Sequence, residues 1–300
     1  MNLNFSDAAL VLVGHGSTVN AESSKPVSQH ARELRQRRMF AEVHEAFWKQ
    51  EPKVEAVIEA IVAPRIFIVP IFISEGYFSE RMIPQALGFR TEPAEECFAR
   101  VKADAARRVA YCRPVGTHPS MTRVLLARAQ KVVADFPAPE CPAPKDLTMI
   151  IAGHGTGEDE NSRKAIDTQV EIIRKMGFYA AVHSAFMEEE PRIQDCHKLV
   201  QTRNMVVVPF FISDGLHVTE DIPVLLGDSE SLVRQRLRAG QPTWRNPTEK
   251  KGKVIWYAPG VGSEPLLAEV ILERVQEASA WMTLSNLGRA ESSDSAEKPI

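Results

Sequence analysis

The chain repeats itself, and this duplication limits its fold more than any other feature of the sequence. Residues 40–52 are identical to residues 179–191 at 7 of 13 positions, at a spacing of 139. At the same spacing, Val-Pro-Ile-Phe-Ile-Ser-Glu-Gly at 69–76 matches Val-Pro-Phe-Phe-Ile-Ser-Asp-Gly at 208–215, and Gly-His-Gly at 14–16 matches 153–155. Three blocks in one register indicate two copies of a single structural unit.

The second copy is slightly longer than the first, and a proline-rich segment separates them. Residues 111–119 match 257–265 at a spacing of 146, so the second copy has seven extra residues (146 − 139), which we place in the polar stretch 240–253. Residues 137–145 contain four prolines, a composition typical of a semi-rigid linker. The sequence therefore predicts a first unit over residues 1–140, a second over 141–284, and a disordered tail over 285–300.

Each copy is predicted to be an α/β unit. Short apolar runs alternate with longer segments of helical spacing, which is the pattern of strand–helix units that build a parallel sheet. The predicted strands are residues 9–13, 43–47, 66–72 and 109–113 in the first copy, and 149–152, 182–186, 205–211 and 254–257 in the second. The predicted helices of the second copy are residues 160–176, 191–202, 220–226 and 264–282. We therefore expect each half to form a small, mainly four-stranded, parallel sheet flanked by helices.

Charge and cysteine usage exclude several classes of protein. With 36 Lys and Arg against 39 Asp and Glu, the formal charge of −3 provides no basic field for nucleic acid or an anionic membrane. We find no apolar run of about 18 residues and no basic-then-apolar leader, so we expect a cytoplasmic protein without a membrane anchor. The isolated cysteines argue against zinc knuckles, iron–sulfur clusters and disulfides; they are Cys97, Cys112, Cys141 and Cys196.

Three polar side chains of the second copy follow predicted strands, where open parallel sheets bind their ligands. His154 follows the first strand, Glu188 the second and His217 the third. Taken alone, each has an ordinary structural explanation: a hydrogen-bonded turn, an acidic first helical turn and a solvated loop. Glycines beside these positions are expected to bring backbone amides toward an anionic ligand; they are Gly153, Gly155, Gly215 and Gly262.

The duplication provides an internal comparison that favours a metal site in the second copy. In the first copy, 139 residues earlier, the three positions hold His15, Lys49 and Phe78. Two imidazoles and a carboxylate suit Co²⁺, Fe²⁺, Ni²⁺ or Zn²⁺, whereas an imidazole, an ammonium and a phenyl ring bind a divalent cation poorly. If the chain has one metal site, we therefore place it in the second copy. His44 and His183 lie at equivalent points of a predicted strand in both copies, and we interpret them as structural.

These motifs resemble those of a known family. Strand–Gly-His-Gly-[Ser/Thr], Ala-Phe-x-Glu-x-x-Pro and Val-Val-Pro-x-Phe-x-Ser-x-Gly-x-His-Val-x-x-Asp-Ile-Pro resemble the class II tetrapyrrole chelatases of the CbiX type, the sirohydrochlorin cobalt and iron chelatases. The resemblance covers nearly all of residues 8–282 as two tandem family units. It implies an α/β fold of two chelatase-like lobes related by a pseudo-twofold axis, with a cleft between them. It also implies ATP-independent insertion of a divalent metal into sirohydrochlorin or a related tetrapyrrole, in cobalamin or siroheme biosynthesis.

The resemblance assigns the site residues as well. The family's two active-site histidines fall on His154 and His217 and its acidic partner on Glu188, so we expect these three to be catalytic and metal-binding. The first lobe then carries a degenerate site. Co²⁺ is the favoured metal substrate, with Fe²⁺ or Ni²⁺ as alternatives. Candidate partners for the macrocycle's carboxylates, each of which could equally be a solvated helix residue, are Arg163, Lys164, Arg192, Arg81 and Arg90.

Further expectations concern cofactors and partners. Neither ATP nor an iron–sulfur cluster is expected, because the chain has no G-x-x-x-x-G-K-[ST] phosphate loop and no cysteine cluster. We expect a tetrapyrrole partner, and neither nucleic acid nor a membrane. The tandem units supply the pairing that a single-unit relative would obtain by dimerising, so we expect a monomer. A non-catalytic tetrapyrrole- or metal-binding carrier is the alternative, because the first copy has lost two of the three groups and fold alone does not guarantee turnover.

Overall fold

The computed structural model describes residues 5–18, 20–89, 99–103, 107–155 and 160–294. Within these residues, ten strands form two five-stranded sheets, with the orders β2-β1-β3-β5-β4 and β7-β6-β8-β10-β9. In each sheet the last strand is antiparallel to its neighbour and the other four are parallel. The strands are β1 (Phe5–Gly14), β2 (Phe40–Phe47), β3 (Arg65–Pro70), β4 (Ala99–Ala103), β5 (Arg108–Cys112), β6 (Leu147–Gly153), β7 (Ala181–Phe186), β8 (Asn204–Pro209), β9 (Thr248–Lys250) and β10 (Lys253–Tyr257).

All eight strands predicted from apolar runs are present, and the prediction of an α/β fold with mainly parallel sheets is confirmed. The two strands that the sequence did not predict, β4 and β9, lie at sheet edges. An edge strand has only one neighbour, so it needs no continuous apolar run. β9 has only three residues, none of them buried, and lies within the stretch 240–253 where the extra residues of the second copy were placed.

The helices agree with the sequence pattern less closely. The predicted helix at 160–176 is observed over the same residues, but 191–202 forms only a 3₁₀ segment, Ile193–Lys198. Its buried Ile193 and Cys196 are three residues apart, a spacing that suits three residues per turn. The observed α-helices are α1 (Lys25–Arg37), α2 (Val54–Ala60), α3 (Ile83–Ala86), α4 (Met121–Asp135), α5 (Glu160–Met176), α6 (Ile222–Leu225), α7 (Glu230–Arg238) and α8 (Leu267–Asp294).

The last helix continues beyond its predicted end at residue 282. α8 runs to Asp294, so residues 285–294, which we expected to be disordered, are helical. Adding residues to an existing helix is much easier than nucleating a new one, so a polar segment attached to a packed helix can extend it. Residues 295–300 of the predicted tail lie outside the described residues. No helix in the described ranges is both long enough and apolar enough to span a bilayer.

The two sheets share one central core. On β1, Leu10 and Leu12 face this core, whereas Val11 and Val13 face a second, outer core, as the alternation of a strand requires. The central core combines the inner faces of both sheets with the apolar sides of α1, α4, α5 and α8. A separate outer core covers the other face of each sheet. Four helices therefore lie between the two sheets, with α1 and α8 packed on the first sheet and α4 and α5 on the second.

The last helix of each repeat packs on the sheet of the other repeat. α4 follows β5 in the chain, yet it contacts β8 and β10 of the second sheet. In the same way, α8 follows β10 but contacts β3, β4 and β5 of the first sheet. The division into units 1–140 and 141–284 therefore remains a prediction about the repeats in the sequence. In the folded chain, each sheet is completed by a helix from the other repeat.

Two buried arginines, 146 residues apart, attach the exchanged helices. Arg274 on α8 donates to the Pro114 carbonyl, with an Nη2–O distance of 2.9 Å, and to Thr117 Oγ1 at 2.8 Å. Arg128 on α4 donates to Ser263 Oγ at 2.6 Å. Burial lowers the pKa of both guanidinium groups, although each stays charged near pH 7. Each exchanged helix is thus hydrogen-bonded to the loop that follows the last parallel strand of the other repeat.

The same loops contain glycines that have no space for a side chain. A Cβ atom on Gly262 would lie 1.7 Å from the Ile212 carbonyl oxygen, and one on Gly116 would lie 1.9 Å from the Ile73 oxygen. These loops therefore pack directly on the backbone that leaves β8 and β3. Gly262, which we expected to present an amide to a ligand, is required in any case for this close approach.

Removing the Arg274 side chain should destabilise the protein. Arg274→Ala leaves a buried carbonyl without its donor and detaches α8 from the first repeat, so we expect a loss of about 3 kcal/mol in the free energy of unfolding. Urea denaturation measures this loss. The control is Arg123→Ala, whose side chain is 51% exposed and pairs with Glu273, and it should cost less than about 1 kcal/mol. Equal losses in the two variants would contradict the proposed attachment.

A methyl group on Gly262 should also be costly. Gly262→Ala places a carbon inside contact distance of a backbone oxygen that a rotamer change cannot relieve, so we expect a loss of at least about 2 kcal/mol. Gly215→Ala is the matched control, because the atoms nearest to its Cβ would be 3.7 Å away. Thermal unfolding followed by circular dichroism measures both variants. If Gly262→Ala were as stable as Gly215→Ala, the close approach would be wrong.

Candidate functional site

The three predicted site residues meet at the carboxyl edge of the second sheet. β7, β6 and β8 are neighbours, so the residues that follow them lie side by side. The rings of His154 and His217 are 5.0 Å apart between centroids and cross at 73°. Glu188 Oε1 lies 3.7 Å from His154 Nε2. Two imidazoles and one carboxylate thus lie near one another at this edge of the sheet, and their role in metal binding stays a prediction.

Tight packing around two glycines fixes His154 in place. A Cβ on Gly153 would lie 2.1 Å from Ile166 Cδ1 of α5, and one on Gly155 would lie 2.6 Å from Glu189 Cγ. Gly155 also has a φ of +67°, a left-handed conformation that glycine adopts most easily. The loop therefore lies close against its neighbours and turns sharply just after His154. The His154 side chain remains 31% exposed at the edge of the sheet.

A π-helical turn, His217–Asp221, positions the second imidazole. His217 Nδ1 donates to Asp221 Oδ2 at 2.7 Å, since a carboxylate can only accept. In a neutral ring this bond leaves Nε2 as the nitrogen with an available lone pair. Val218, next to His217, is buried, and its carbonyl accepts a hydrogen bond from Tyr257 Oη at 2.6 Å. The turn is therefore anchored on one side while His217 stays exposed on the other.

Asp221 is a site residue that the sequence reasoning missed. Its position four residues after His217 would place the two side chains on one face of a helical turn. That signal was present, but the predicted helix began at residue 220 and so left His217 in a loop. The carboxylate bound to the far nitrogen of a histidine is the usual arrangement behind a metal-binding imidazole.

The three donors form an open arrangement. In the part of the chain that the structure describes, no three His, Cys, Asp or Glu side chains enclose a point closely enough to hold a cation by themselves. His217 and Glu188 are also well exposed, with 49% and 58% of their side-chain surface accessible. An incoming ligand can therefore reach the imidazole pair, and a metal there would need further donors from that ligand or from water.

The first repeat builds the same backbone with different side chains. The Lys49 amide donates to the His15 carbonyl at 2.8 Å, as the Glu188 amide does to that of His154 at 3.1 Å. Phe78 occupies the position of the second imidazole, and its ring lies 4.8 Å from that of His15 between centroids. Burial, together with the nearby Lys49 ammonium, lowers the pKa of His15. The first-repeat position is therefore unsuited to a divalent cation, as the comparison of the copies predicted.

The predicted carboxylate-binding cations are less well placed. Arg163 forms an ion pair with Glu189 at 3.1 Å and donates to the Glu190 carbonyl at 2.9 Å. Arg192 lies 3.5 Å from the Glu190 carboxylate. Arg90 falls outside the described residues. Lys164 and Arg81 are exposed, so they remain predictions. Gly215 has ordinary packing distances, and its role in binding is likewise a prediction.

A cavity of about 900 Å³ lies beside the loop that carries His217 but does not include the imidazole pair. It extends between α4 and the stretch containing the extra residues of the second copy, and its lining includes Val218, Trp244 and Tyr257. Trp244 and Asn246, both in that stretch, pack on or hydrogen-bond with Tyr257. The histidines thus face the open edge of the sheet rather than this cavity.

Comparison with known proteins identifies the family of this chain. The CbiX family model matches residues 9–132 and again 148–278. The chain is 39% identical over 281 residues to a Halobacterium salinarum protein named probable sirohydrochlorin cobaltochelatase, covering 91% of this chain and 92% of that protein. A Methanopyrus kandleri sirohydrochlorin cobaltochelatase is 28% identical over 141 residues, which is 44% of this chain and 96% of that protein. The second relative therefore corresponds to a single repeat.

Solved structures share the fold. A multi-domain Deinococcus radiodurans protein described as structurally similar to chelatases superposes with a TM-score of 0.73 at 28% identity, and this chain covers 55% of its length. SirB from Bacillus subtilis with Fe³⁺ superposes with a TM-score of 0.65 at 17% identity, covering 91% of this chain and 96% of that one. With two matches to one family model, a relative 39% identical over almost its whole length, and the shared two-lobed fold, the chain belongs to the CbiX family and contains two tandem units of it.

Proposed function

We propose that this protein inserts a divalent metal, with Co²⁺ as the first candidate, into sirohydrochlorin or a related tetrapyrrole. The observation that carries the proposal is the imidazole pair His154 and His217, 5.0 Å apart beside Glu188 on an open sheet edge. The relatives are named for this activity with cobalt, and structures of SirB contain cobalt or Fe³⁺. Fe²⁺ and Ni²⁺ are the alternative metals, because imidazole binds all three.

The two histidines take up the metal from solvent. The Asp221 carboxylate fixes the His217 ring with Nε2 available, and His154 Nε2 lies on the side of Glu188. Imidazoles are neutral ligands near pH 7, so they can replace water on the cation without first losing a strongly held proton. Water then occupies the other coordination positions of the metal, and the nitrogens of the macrocycle can replace this water.

Insertion releases two protons. The metal-free macrocycle carries two pyrrole N–H groups, and each loses its proton as the nitrogen binds the metal, so that one divalent cation replaces two protons. Glu188, next to His154 and 58% exposed, is placed to accept such a proton and pass it to solvent. Charge and atoms balance without oxidation, reduction or a nucleotide. The proposed reaction therefore includes neither ATP nor an iron–sulfur cluster.

Cysteine placement supports a site built without thiolates. Burial raises the pKa of Cys112 and of Cys196 to about 12, so both thiols stay protonated near neutral pH and are poor metal ligands. Cys141 is exposed, and its Sγ lies 3.5 Å from the Val133 carbonyl at the end of α4. We further propose a monomer, since the two repeats already complete each other's sheets. We also propose a cytoplasmic location.

The direct test mixes purified protein with sirohydrochlorin and Co²⁺ and follows the change in the absorption spectrum with the macrocycle in excess. Many turnovers per protein, faster than the reaction without protein, would support the enzyme. Stoichiometric binding of macrocycle or metal without acceleration would instead support the carrier, and would contradict the proposed function. Omission of ATP should leave the rate unchanged.

Loss of one imidazole should abolish insertion. We expect His217→Ala to lower the insertion rate by at least about 100-fold, because one imidazole and one carboxylate hold the metal much more weakly than two imidazoles and a carboxylate. His197→Ala is the control, since it removes an imidazole of the same repeat from the 3₁₀ segment Ile193–Lys198. Titration with Co²⁺ alone adds a second readout, in which His217→Ala loses binding and His15→Ala keeps it. Equal loss in the His217 and His15 variants would refute the assignment to the second repeat.

Removal of Asp221 should weaken the site without removing a ligand. Asp221→Ala frees the His217 ring to rotate, so we expect Co²⁺ affinity to fall about 10- to 100-fold. The neighbouring Glu220 bonds Arg234 at 2.8 Å instead of a histidine, so Glu220→Ala should keep the wild-type affinity. Visible absorption of the bound Co²⁺ reports both affinities. An unchanged Co²⁺ affinity in Asp221→Ala would show that the carboxylate does not orient the ring.

A further inference from the structure

The degenerate site of the first repeat forms a cluster of its own. Three aromatic side chains, Trp48, Tyr77 and Phe78, surround it, and we call them with Lys49 the aromatic platform. The Phe78 ring lies 5.7 Å from that of Tyr77 and 6.5 Å from that of Trp48 between centroids. Tyr77 is 60% exposed, so part of its ring surface is accessible to a ligand.

Lys49 adds a positive charge to this surface. Its Nζ lies 5.5 Å from the centroid of the Phe78 ring, so the aromatic face holds the ammonium at the platform. Among the described residues, no carboxylate lies within ion-pair distance of Lys49. His15 stays neutral beside it, since burial and Lys49 itself lower the pKa of the imidazole. The platform therefore presents one exposed cation on an apolar, aromatic base.

The equivalent positions of the second repeat show what has changed. Glu188 occupies the place of Lys49, and His217 that of Phe78, on the same backbone hydrogen bonds. The charge at this position is thus reversed, from an acid that favours a metal to a base that repels one. A reversed charge on a preserved backbone suits the opposite kind of ligand, an anion with a flat apolar body.

The loops that lead to the two sites meet at the junction between the repeats. The loop after β1, which begins with His15, reaches the loop that carries His217, because Asn20 Nδ2 would lie 3.7 Å from a Cβ on Gly215. At this junction, His30 Nε2 also donates to the Gly262 carbonyl at 2.8 Å. A tetrapyrrole bound across this junction would lie beside both loops.

We infer that the aromatic platform binds the tetrapyrrole, with Lys49 holding one of its carboxylates and the rings of Tyr77 and Phe78 contacting its flat face. This assignment rests on the proposed function and gives each repeat a separate role in it. The second repeat handles the metal, and the first repeat holds the macrocycle. A lysine that binds the substrate without touching the metal would account for the presence of Lys49 where the second repeat has Glu188.

The test measures binding of metal-free sirohydrochlorin by absorption titration. Lys49→Met should raise its Kd about tenfold, since one charge-assisted contact is lost, and Lys49→Arg should largely restore it. Tyr77→Ala, at an exposed position, should raise the Kd about fivefold without affecting folding. The control Lys198→Met removes another exposed lysine, paired with Asp195 on the 3₁₀ segment Ile193–Lys198, and should leave the Kd unchanged.

Two further readouts separate this inference from the proposed function. Titration with Co²⁺ alone should give the same affinity for wild type and Lys49→Met, because the lysine is not a metal ligand. The Kd for the macrocycle should also rise less steeply with salt in Lys49→Met, since a screened ion pair is absent. If wild type binds sirohydrochlorin but never inserts metal, the proposed function fails while a Lys49 effect on binding still supports the platform. Unchanged macrocycle binding in Lys49→Met would overturn it.

Discussion

The exchange of α4 and α8 between the repeats is the constraint on which the rest of the structure depends. Each sheet has its inner face covered by a helix from the other repeat, and the two inner faces belong to one continuous core. Arg128 and Arg274, both buried, hydrogen-bond these helices to the loops that follow the last parallel strands. Those loops in turn pack on the backbone that leads to the two sites. The relative position of the sites is thus set by core packing, because neither sheet can move without exposing the shared helices.

Such a rigid frame allows the two sites to differ in chemistry without differing in shape. The main-chain hydrogen bonds that position Lys49 and Glu188 are the same, and both are supported by strand neighbours in the same order. Substitution of a few side chains therefore changed the charge and the donor groups of the site while the scaffold was preserved. A single-unit relative, such as the Methanopyrus kandleri protein, has one sequence for both halves of any dimer it forms. A tandem chain is free from this constraint, and its two sites can diverge.

Sequence patterns predicted eight of the strands, because apolar runs are a local property of the sequence and the duplication shows each run twice. They also placed His154, Glu188 and His217 close together, because residues that follow neighbouring parallel strands lie at one edge of the sheet. They could not predict the helix exchange, since the apolar side of α4 is compatible with either sheet and only the tertiary fold decides. The contact of Asp221 with His217 was not predicted for a related reason, because the π-helical turn begins at His217, three residues before the predicted helix. β9 was not predicted because its three residues are too few to show the alternation of a strand.

An incomplete donor set is what a metal substrate requires. A structural zinc site closes four protein ligands around the cation and holds it tightly, which would prevent its transfer. Here His154 and His217 face an open edge, and Glu188 Oε1 is 3.7 Å from His154 Nε2. The protein offers fewer donors than the four nitrogens of a tetrapyrrole, so those nitrogens can replace both the imidazoles and the water on the cation. Transfer is then favoured by the four donors that one macrocycle supplies together, provided that the macrocycle is held beside the histidines. Holding the macrocycle is therefore as necessary as binding the metal, and this is the role that we propose for the first repeat.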